Sequence, residues 1–216
     1  MIELAAKSVL AYLIGSLMGG VVVGALRGGV DLRKLGSGNV GATNALRTQG
    51  KAFALAVLLI DAGKGVLAVT LLPAWTWPWA EGTLPSRETL AYVCGAAVAL
   101  GHIYPVWYGF HGGKGVATLM GVYGALLPAA FPWMAATFVL ITMLSGFVAL
   151  SSIGGALCAV VFIAVTTGLL TVAGGFTLAM AALVIFKHRE NLRRIVSGEE
   201  YRFERARALG RFLHIP

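Results

Sequence analysis

The sequence has few charged residues and only two cysteines. Asp, Glu, Lys and Arg make up 12% of the 216 residues, whereas soluble domains carry about 25%. Because so few charges cannot cover a globular surface with polar groups, a soluble protein is disfavoured. Cys94 and Cys158 both lie inside apolar runs and form no CxxC motif, so they predict small buried side chains and no metal site.

Several catalytic motifs are also missing. The chain has no GxSxG elbow, which disfavours a serine hydrolase, and no HxxxxD motif, which disfavours an acyltransferase that uses acyl-CoA. A GxGxxG match at 36–41 lies between apolar runs rather than in a βαβ unit, so it does not indicate dinucleotide binding. In GGKG at 112–115 the lysine is followed by Gly115 rather than Ser or Thr, so a nucleotide-hydrolysing P-loop is disfavoured.

Long apolar runs are what the sequence does contain. Hydrophobic residues make up 58% of the chain, the mean hydropathy is +0.82 and the net charge is +8. These values predict one all-α polytopic membrane domain, 1–216, whose basic surplus suits anionic lipids or substrates rather than nucleic acid. We expect about seven transmembrane helices, with five crossings and re-entrant pieces as the alternative. The expected spans are about 4–26, 52–72, 89–103, 116–130, 133–150, 153–170 and 174–186.

The basic residues predict an orientation. Arg27, Arg33 and Lys34 follow the first span, and the positive-inside rule places them in the cytoplasm. Only Lys7 argues the other way. We therefore expect the N-terminus outside, the C-terminus in the cytoplasm, and cytoplasmic loops at about 27–51, 101–118 and 187–200. The basic tail, 201–216, is expected to lie on the membrane surface as an amphipathic helix. An outer aromatic belt is expected from Trp75, Trp77 and Trp79.

The second span contains two opposite charges, Asp61 and Lys64, which share a helix face at i, i+3 spacing. Each charge inside a membrane costs on the order of 2.5–3.5 kcal/mol on insertion scales. We expect a structural ion pair inside the bundle, and a direct role in substrate binding is the alternative.

The first polar segment, LGSGNVGATNALR at 35–47, predicts a phosphate-binding loop. Glycines let backbone N–H groups converge on an anion, and Arg47 adds a charge with fork geometry suited to phosphate. The alternative is a capped loop that enters the second span. The other candidate residues are Gly36, Ser37, Gly38, Asn39, Gly41, Thr43 and Asn44.

The second polar segment, 101–118, carries a similar signal just before the fourth span. Glycines and a lysine at a helix N-terminus predict an anion site, and a snorkelling lysine is the alternative. The candidate residues are Gly112, Gly113, Lys114 and Gly115. His102 is expected to be a structural hydrogen bonder rather than a base.

In the third polar segment, 188–200, His188 and Asn191 share a helix face and can reach a phosphate or a hydroxyl. The alternative is a helix end docked by polar contacts. Glu190 and Glu199 are expected to pair with arginines. We expect all three polar segments to gather on one membrane face and to bind phosphate groups.

Taken in order, GSGNVGATNALRTQGK, GHIYPVWYGFHGGKGVAT and HRENLRRIVSGEE resemble the three cytoplasmic motifs of the bacterial acyl-phosphate:glycerol-3-phosphate acyltransferases, and DAGKG at 61–65 resembles a further shared patch. The resemblance spans residue 5 to about 200. It implies an inner-membrane enzyme, with a cytoplasmic active site, that transfers a fatty acyl group from acyl phosphate to the sn-1 hydroxyl of glycerol 3-phosphate. The products would be lysophosphatidate and inorganic phosphate, in the first acylation step of bacterial phospholipid synthesis.

The resemblance also implies residue roles. The 112–115 loop would bind the phosphate of glycerol 3-phosphate, and Glu199 would be structural. A serine contact near the fifth and sixth helices is divided between Ser151 and Ser152, because Ala149 stands where the family often has serine. Catalytic roles are implied for Ser37, Arg47, Lys114, His188 and Asn191. Both substrates and the bilayer are the expected partners, without a cofactor, metal, nucleic acid or obligate protein partner.

Two other functions remain open from the sequence. A transporter of a phosphorylated or other anionic solute would place its substrate near the bilayer midplane on broken helices, and only Asp61 and Lys64 lie that deep in the predicted spans. A non-catalytic lipid-binding membrane protein would explain the basic face but not the combination of Ser37, His188 and Asn191.

Overall fold

The structure, a computed structural model, describes residues 2–76 and 86–215, and every regular element in these ranges is helical. The chain divides into two compact units, Met1–Leu127 and Pro128–Pro216. The first unit contains α1 (Ile2–Ser16), α2 (Gly19–Leu26), α3 (Ala42–Gln49), α4 (Lys51–Ala74), α5 (Arg87–Ile103) and α6 (Val116–Leu126). The second contains α7 (Phe131–Ser145), α8 (Val148–Thr166), α9 (Val172–Lys187), α10 (Arg189–Val196) and α11 (Ala208–Phe212).

The helices confirm an all-helical membrane architecture in the described part of the chain. Three are long and apolar enough to cross a bilayer, namely α4, α5 with the turn that follows it, and α8. The bent pairs α1–α2 and α9–α10 raise this number to five if each pair is one span. α6 and α7 are apolar but contain only 11 and 15 residues, fewer than the roughly 20 needed to span. Seven crossings and their orientation stay predictions.

The first apolar run is broken, although the sequence predicts one helix over 4–26. α1 ends at Ser16, α2 begins at Gly19, and the two axes differ by 46°. The run is apolar on both sides of the break, so hydropathy gives no sign of it. The break frees backbone groups in apolar surroundings, where each of them needs a hydrogen-bond partner.

The predicted boundary near residues 145–152 is wrong. α7 ends at Ser145, and Gly146, with φ +73°, is its left-handed C-terminal cap. α8 then begins at Val148, so Ser151 and Ser152 lie inside a helix instead of in a loop. The apolar residues continue across this two-residue turn, which hides it from hydropathy. Of the expected aromatic belt, Trp75 is half exposed, and Trp77 and Trp79 lie outside the described residues.

Glycines set the closest helix approaches in the first unit. A Cβ at Gly101 of α5 would lie 2.0 Å from the carbonyl oxygen of Tyr12 in α1. A Cβ at Gly65 of α4 would lie 2.3 Å from the carbonyl oxygen of Thr118 in α6. Neither backbone oxygen can move aside as a flexible side chain could. These crossings therefore need a residue without a side chain, as close packing between membrane helices commonly does.

A buried ion pair lies near the start of α1. Glu3 pairs with Lys7 one helical turn away, and both side chains are buried. The ammonium also donates to the carbonyl oxygen of Trp75 at 2.5 Å. Lys7 is thus neutralised inside the unit and fastens α1 to the end of α4.

In the second unit, the tail is fastened to the turn between α7 and α8. Arg202 Nε donates to the carbonyl oxygen of Ser145 at 2.8 Å, and the backbone N–H of Phe203 donates to that of Gly146 at 2.9 Å. Of the amphipathic surface helix predicted over 201–216, only the short α11 is helical among the described residues. The residues between α10 and α11 are irregular.

Two glycines of α4 test the packing argument. Gly65→Ala should lower the free energy of unfolding by about 1–3 kcal/mol, because the new methyl group meets the backbone of α6. Gly63→Ala, two residues away, meets nothing within 4 Å and should raise stability by about 0.5–1 kcal/mol. Equilibrium unfolding in detergent measures both, and equal effects would contradict the close crossing.

Candidate active site

Asn44 holds the first polar segment in its fold. Its side chain is buried, and Oδ1 accepts the backbone N–H of Ser37 at 3.0 Å. Its amide nitrogen lies 3.2, 2.9 and 2.8 Å from the carbonyl oxygens of Leu32, Leu35 and Asn39. One amide thus links both ends of the loop to α3. Asn39 acts similarly, because its Oδ1 accepts the N–H of Gly41 at 2.9 Å.

The glycines that flank Ser37 both have left-handed backbone conformations. Gly36 has φ +55° and Gly38 has φ +72°, a region that glycine enters without steric cost. At Gly36 a Cβ would also lie 2.3 Å from Asn44 Oδ1. The loop therefore presents Ser37 at an exposed position on a backbone that only glycine permits.

α3 carries the remaining candidates of this segment. Gly41 is its N-cap residue and Thr43 lies in its first turn, where backbone N–H groups have no helical acceptor. Arg47 lies in the last turn and is half buried. A cation there is stabilised by the negative end of the helix dipole.

Two glycines of α2 support the segment, and the sequence analysis missed them. A Cβ at Gly20 would lie 2.1 Å from the carbonyl oxygen of Val40, and one at Gly24 would lie 2.0 Å from that of Val30. The loop backbone therefore rests directly on α2. The four-residue spacing of Gly20 and Gly24, a small-residue stripe on one helix face, is the signal that could have indicated this.

The second polar segment is tied to the end of α5. The N–H groups of Gly112 and Gly113 donate to the carbonyl oxygens of Ile103 and His102 at 3.2 and 3.1 Å. Gly115 has φ +81° and is the N-cap residue of α6. Half-buried Lys114 stands between two glycines at this helix start, as the anion-site prediction requires.

A cation–π contact joins the 27–51 loop to the second polar segment. The guanidinium of Arg33 lies over the ring of Tyr108, 5.7 Å from its centroid. Asp31 orients this arginine through hydrogen bonds of 2.9 and 3.0 Å. The guanidinium holds the pKa of the Asp31 carboxyl below its usual value, so the acid stays ionised and keeps its hold on Arg33.

A buried polar cluster lies beneath these loops. Lys64 Nζ is 3.0 Å from Asp61 Oδ1 and 2.8 Å from His102 Nδ1. The ion pair expected from the i, i+3 spacing is therefore present. His102 joins this pair from 38 residues further along the chain, a contact that helix spacing does not predict.

In the second unit, Glu200 organises the third polar segment. Its Oε1 accepts from Asn191 Nδ2 at 2.8 Å and its Oε2 accepts from Arg194 Nε at 2.7 Å. The structural acid expected at Glu199 is therefore its neighbour Glu200, which accepts from Asn191 and Arg194. Glu190 lies near exposed arginines, 3.5 Å from Arg193, as expected.

His188 is buried at the bend between α9 and α10, where the two axes differ by 48°. Its Nδ1 lies 2.8 Å from the carbonyl oxygen of Val184. A carbonyl can only accept, so Nδ1 carries the proton, and Nε2 of the neutral ring is the acceptor.

Both candidate serines of α8 bond within the second unit. Ser151 Oγ lies 2.7 Å from Thr142 Oγ1 and 3.1 Å from the carbonyl oxygen of Phe147. Ser152 Oγ donates to the carbonyl oxygen of Val148 at 2.9 Å. Ser151 therefore joins α7 to α8, and substrate contact by either serine stays a prediction.

Known proteins resemble this chain along most of its length. The family model described as glycerol-3-phosphate acyltransferase matches residues 5–198. The glycerol-3-phosphate acyltransferase of Anaeromyxobacter sp. (strain Fw109-5) is 40% identical over 191 residues, covering 88% of this chain and 92% of that protein. That of Staphylococcus saprophyticus is 39% identical over 193 residues, covering 89% and 94%.

A solved structure extends the likeness to the fold. The crystal structure of PlsY (YgiH), an integral membrane glycerol 3-phosphate acyltransferase, in its glycerol 3-phosphate form has a TM-score of 0.81 and 35% identity over 93% of this chain and 95% of that one. The lysophosphatidic acid form has a TM-score of 0.79 and 34% identity over 92% and 94%.

Glu199 and Glu200 offer a matched test of the third polar segment. Glu200→Ala should lower the free energy of unfolding by about 1–3 kcal/mol, because Asn191 and Arg194 lose a charged acceptor. Glu199→Ala should change it by less than about 0.5 kcal/mol. Equilibrium unfolding in detergent compares them, and a larger loss for Glu199→Ala would refute the assignment.

Proposed function

The chain belongs to the glycerol-3-phosphate acyltransferase family, and on that premise we propose that it transfers a fatty acyl group from acyl phosphate to the sn-1 hydroxyl of glycerol 3-phosphate. The family match covers residues 5–198, so the resemblance inferred from the three motifs is confirmed. The chain is therefore a glycerol-3-phosphate acyltransferase of the membrane. The acyl phosphate donor and the lysophosphatidate product are the proposed refinements.

The observation that carries the proposal is the meeting of two glycine-rich, basic loops in the first unit. The guanidinium of Arg33, two residues before the first polar segment, lies over the ring of Tyr108 in the second. Hydrogen bonds fix the backbone of both loops. Asn44 bonds to the first loop, and carbonyl groups at the end of α5 accept from the second. Two such loops suit a reaction in which acceptor and donor each carry a phosphate group.

The proposed step is a direct acyl transfer. The sn-1 oxygen of glycerol 3-phosphate attacks the carbonyl carbon of the acyl phosphate, a C–O ester bond forms, and the C–O bond to phosphate breaks. Inorganic phosphate leaves with the bonding electron pair. Acyl phosphate is already an activated anhydride, so holding the two groups in line can supply several kcal/mol of the barrier reduction.

The proposed roles follow the geometry. The N-terminus of α6 and the ammonium of Lys114 would bind the phosphate of glycerol 3-phosphate, because the N–H groups of Gly112 and Gly113 already donate to the end of α5. Ser37 and Arg47 would stabilise the oxyanion and the departing phosphate, because preorganised donors act where charge develops. The hydroxyl proton would pass to that phosphate.

The proposed location is the bacterial inner membrane, with the active site at the cytoplasmic face. Support comes from the exposed basic residues of the loops, since Arg27, Arg33 and Lys34 are all exposed. Neutralisation of Lys7 by Glu3 removes the one basic residue that argued for the opposite orientation.

One observation favours a transporter as the second candidate. The first apolar run is a broken helix with two charges at the break, and transporters use broken helices to bind ions at the midplane. These charges, however, already satisfy the helix ends at the break, which gives them a structural role.

An assay of purified protein separates the two functions. With palmitoyl phosphate and glycerol 3-phosphate in detergent, the wild type should release phosphate and form lysophosphatidate, whereas a transporter would do neither without a compartment. Arg47→Ala should lower kcat/KM by about 100-fold or more, as loss of an oxyanion donor does. Lys114→Ala should also lower kcat/KM, through a higher KM for glycerol 3-phosphate, because a charged contact to its phosphate is lost. Arg27→Ala, at an exposed arginine that caps the end of α2 ahead of the first polar segment, is the control. Turnover with palmitoyl-CoA but not with palmitoyl phosphate would refute the proposed donor.

Direct transfer makes a prediction about Ser37. Radiolabelled palmitoyl phosphate, supplied without glycerol 3-phosphate, should leave no covalent acyl group on the protein, and phosphate release should show no burst. A stable acyl ester recovered on Ser37 by mass spectrometry would replace direct transfer by a two-step mechanism.

A further inference from the structure

Three buried side chains from two helices meet at the break between α1 and α2. Asp61, Lys64 and His102 are 0%, 6% and 2% exposed. Lys64 Nζ has four acceptors within 3.0 Å for its three protons, namely Asp61 Oδ1, His102 Nδ1 and the carbonyl oxygens of Gly15 and Leu17. The ammonium is therefore fixed in position.

The cluster satisfies both helix ends at the break. Lys64 donates to the carbonyl oxygens of Gly15 and Leu17, at 2.8 Å each, where α1 ends. Asp61 Oδ1 accepts the N–H of Gly19 at 3.0 Å, where α2 begins. A cation at a helix C-terminus and an anion at a helix N-terminus both match the helix dipole. The ion pair therefore holds the bend.

The same ammonium determines the tautomer of His102. An ammonium only donates, so Nδ1, at 2.8 Å from it, must carry a lone pair. Asp61 Oδ1 is further away, at 3.4 Å. In the neutral ring the proton then lies on Nε2. This arrangement is the reverse of that at His188, where a carbonyl puts the proton on Nδ1.

Nε2 of His102 faces the glycine loop. A Cβ at Gly113 would lie 2.1 Å from it, so the ring edge lies directly against this glycine. The carbonyl oxygen of His102 also accepts the N–H of Gly113 at 3.1 Å. Gly113 thus makes two contacts with His102: it packs against the imidazole ring, and its N–H bonds to the backbone carbonyl.

We infer that Asp61, Lys64 and His102 form a positioning group for substrate binding, in which Lys64 directs the Nε2–H of His102 at the 112–115 loop. The ligand in question is the phosphate of glycerol 3-phosphate, so this part of the inference rests on the proposed function. The group connects the bend of the first helix pair to the loop. Disturbing it should weaken glycerol 3-phosphate binding more than it slows the chemical step.

Two substitutions of His102 separate its ring nitrogens. His102→Asn keeps a polar atom near the Nδ1 position and loses the donor on the loop side, whereas His102→Gln keeps a donor near the Nε2 position. His102→Asn should raise KM for glycerol 3-phosphate about 10-fold, the equivalent of about 1.4 kcal/mol, with kcat within about threefold of wild type. His102→Gln should restore KM to within about threefold.

Lys7 provides the matched control. It resembles Lys64 in being buried, paired with an acid on its own helix, and bonded to a backbone carbonyl. Lys7→Gln and Lys64→Gln should both lower the melting temperature, but only Lys64→Gln should raise KM for glycerol 3-phosphate. Equal KM values for these two variants, or for His102→Asn and His102→Gln, would overturn the inference.

The tautomer of His102 can be measured on the wild-type protein, so this test does not require a variant that folds. Nitrogen-15 NMR of histidine-labelled wild type in detergent should show a neutral His102 ring protonated at Nε2, whose signal moves on addition of glycerol 3-phosphate. A ring protonated at Nδ1, or an unmoved signal, would overturn the inference. If the wild type binds glycerol 3-phosphate in this way but does not consume acyl phosphate, the proposed donor fails and the positioning role stands.

Discussion

An interrupted helix in an apolar environment must have its freed backbone groups satisfied by hydrogen bonds, and the first unit is arranged around this constraint. Membranes supply no water to do so. Here the partners are a lysine and an aspartate three residues apart on α4, which bond to the two sides of the gap between Ser16 and Gly19. Because one ammonium contacts α1, α4 and α5, three helices are fixed at a single point. In the first unit, the 112–115 loop bonds to the backbone of Ile103 and of His102, the residue that the ammonium contacts.

The sequence located the long elements well and the interruptions poorly. α4 and α5 lie within two residues of their predicted bounds, because polar and basic residues flank both apolar runs. The bend after Ser16 and the turn at Gly146 were missed, since apolar residues continue through each of them. Hydropathy measures how a segment partitions between water and lipid, and a kink within lipid changes that quantity very little.

Whether a polar residue is structural or available to a ligand depends on the backbone geometry, which composition does not encode. Glu200 rather than Glu199 reaches Asn191 because the chain turns at Gly198, with φ +76°, after α10. In the first polar segment, Asn39 and Asn44 bond to the loop itself. The N–H groups of Ser37, Gly38 and Gly41 also donate to acceptors within this segment. Part of its polar content is therefore structural, although its composition alone resembles a set of ligands.

The attachment of the tail has a consequence for protein engineering. Arg202 and Phe203 supply the donors for the last carbonyl groups of α7 and its cap, Ser145 and Gly146. Cutting the polypeptide before these donors would leave the carbonyl oxygens of Ser145 and Gly146 without these hydrogen bonds. Affinity tags and reporter fusions are therefore better joined beyond Phe212, and a shortened version that ends after α10 makes a poor crystallisation target.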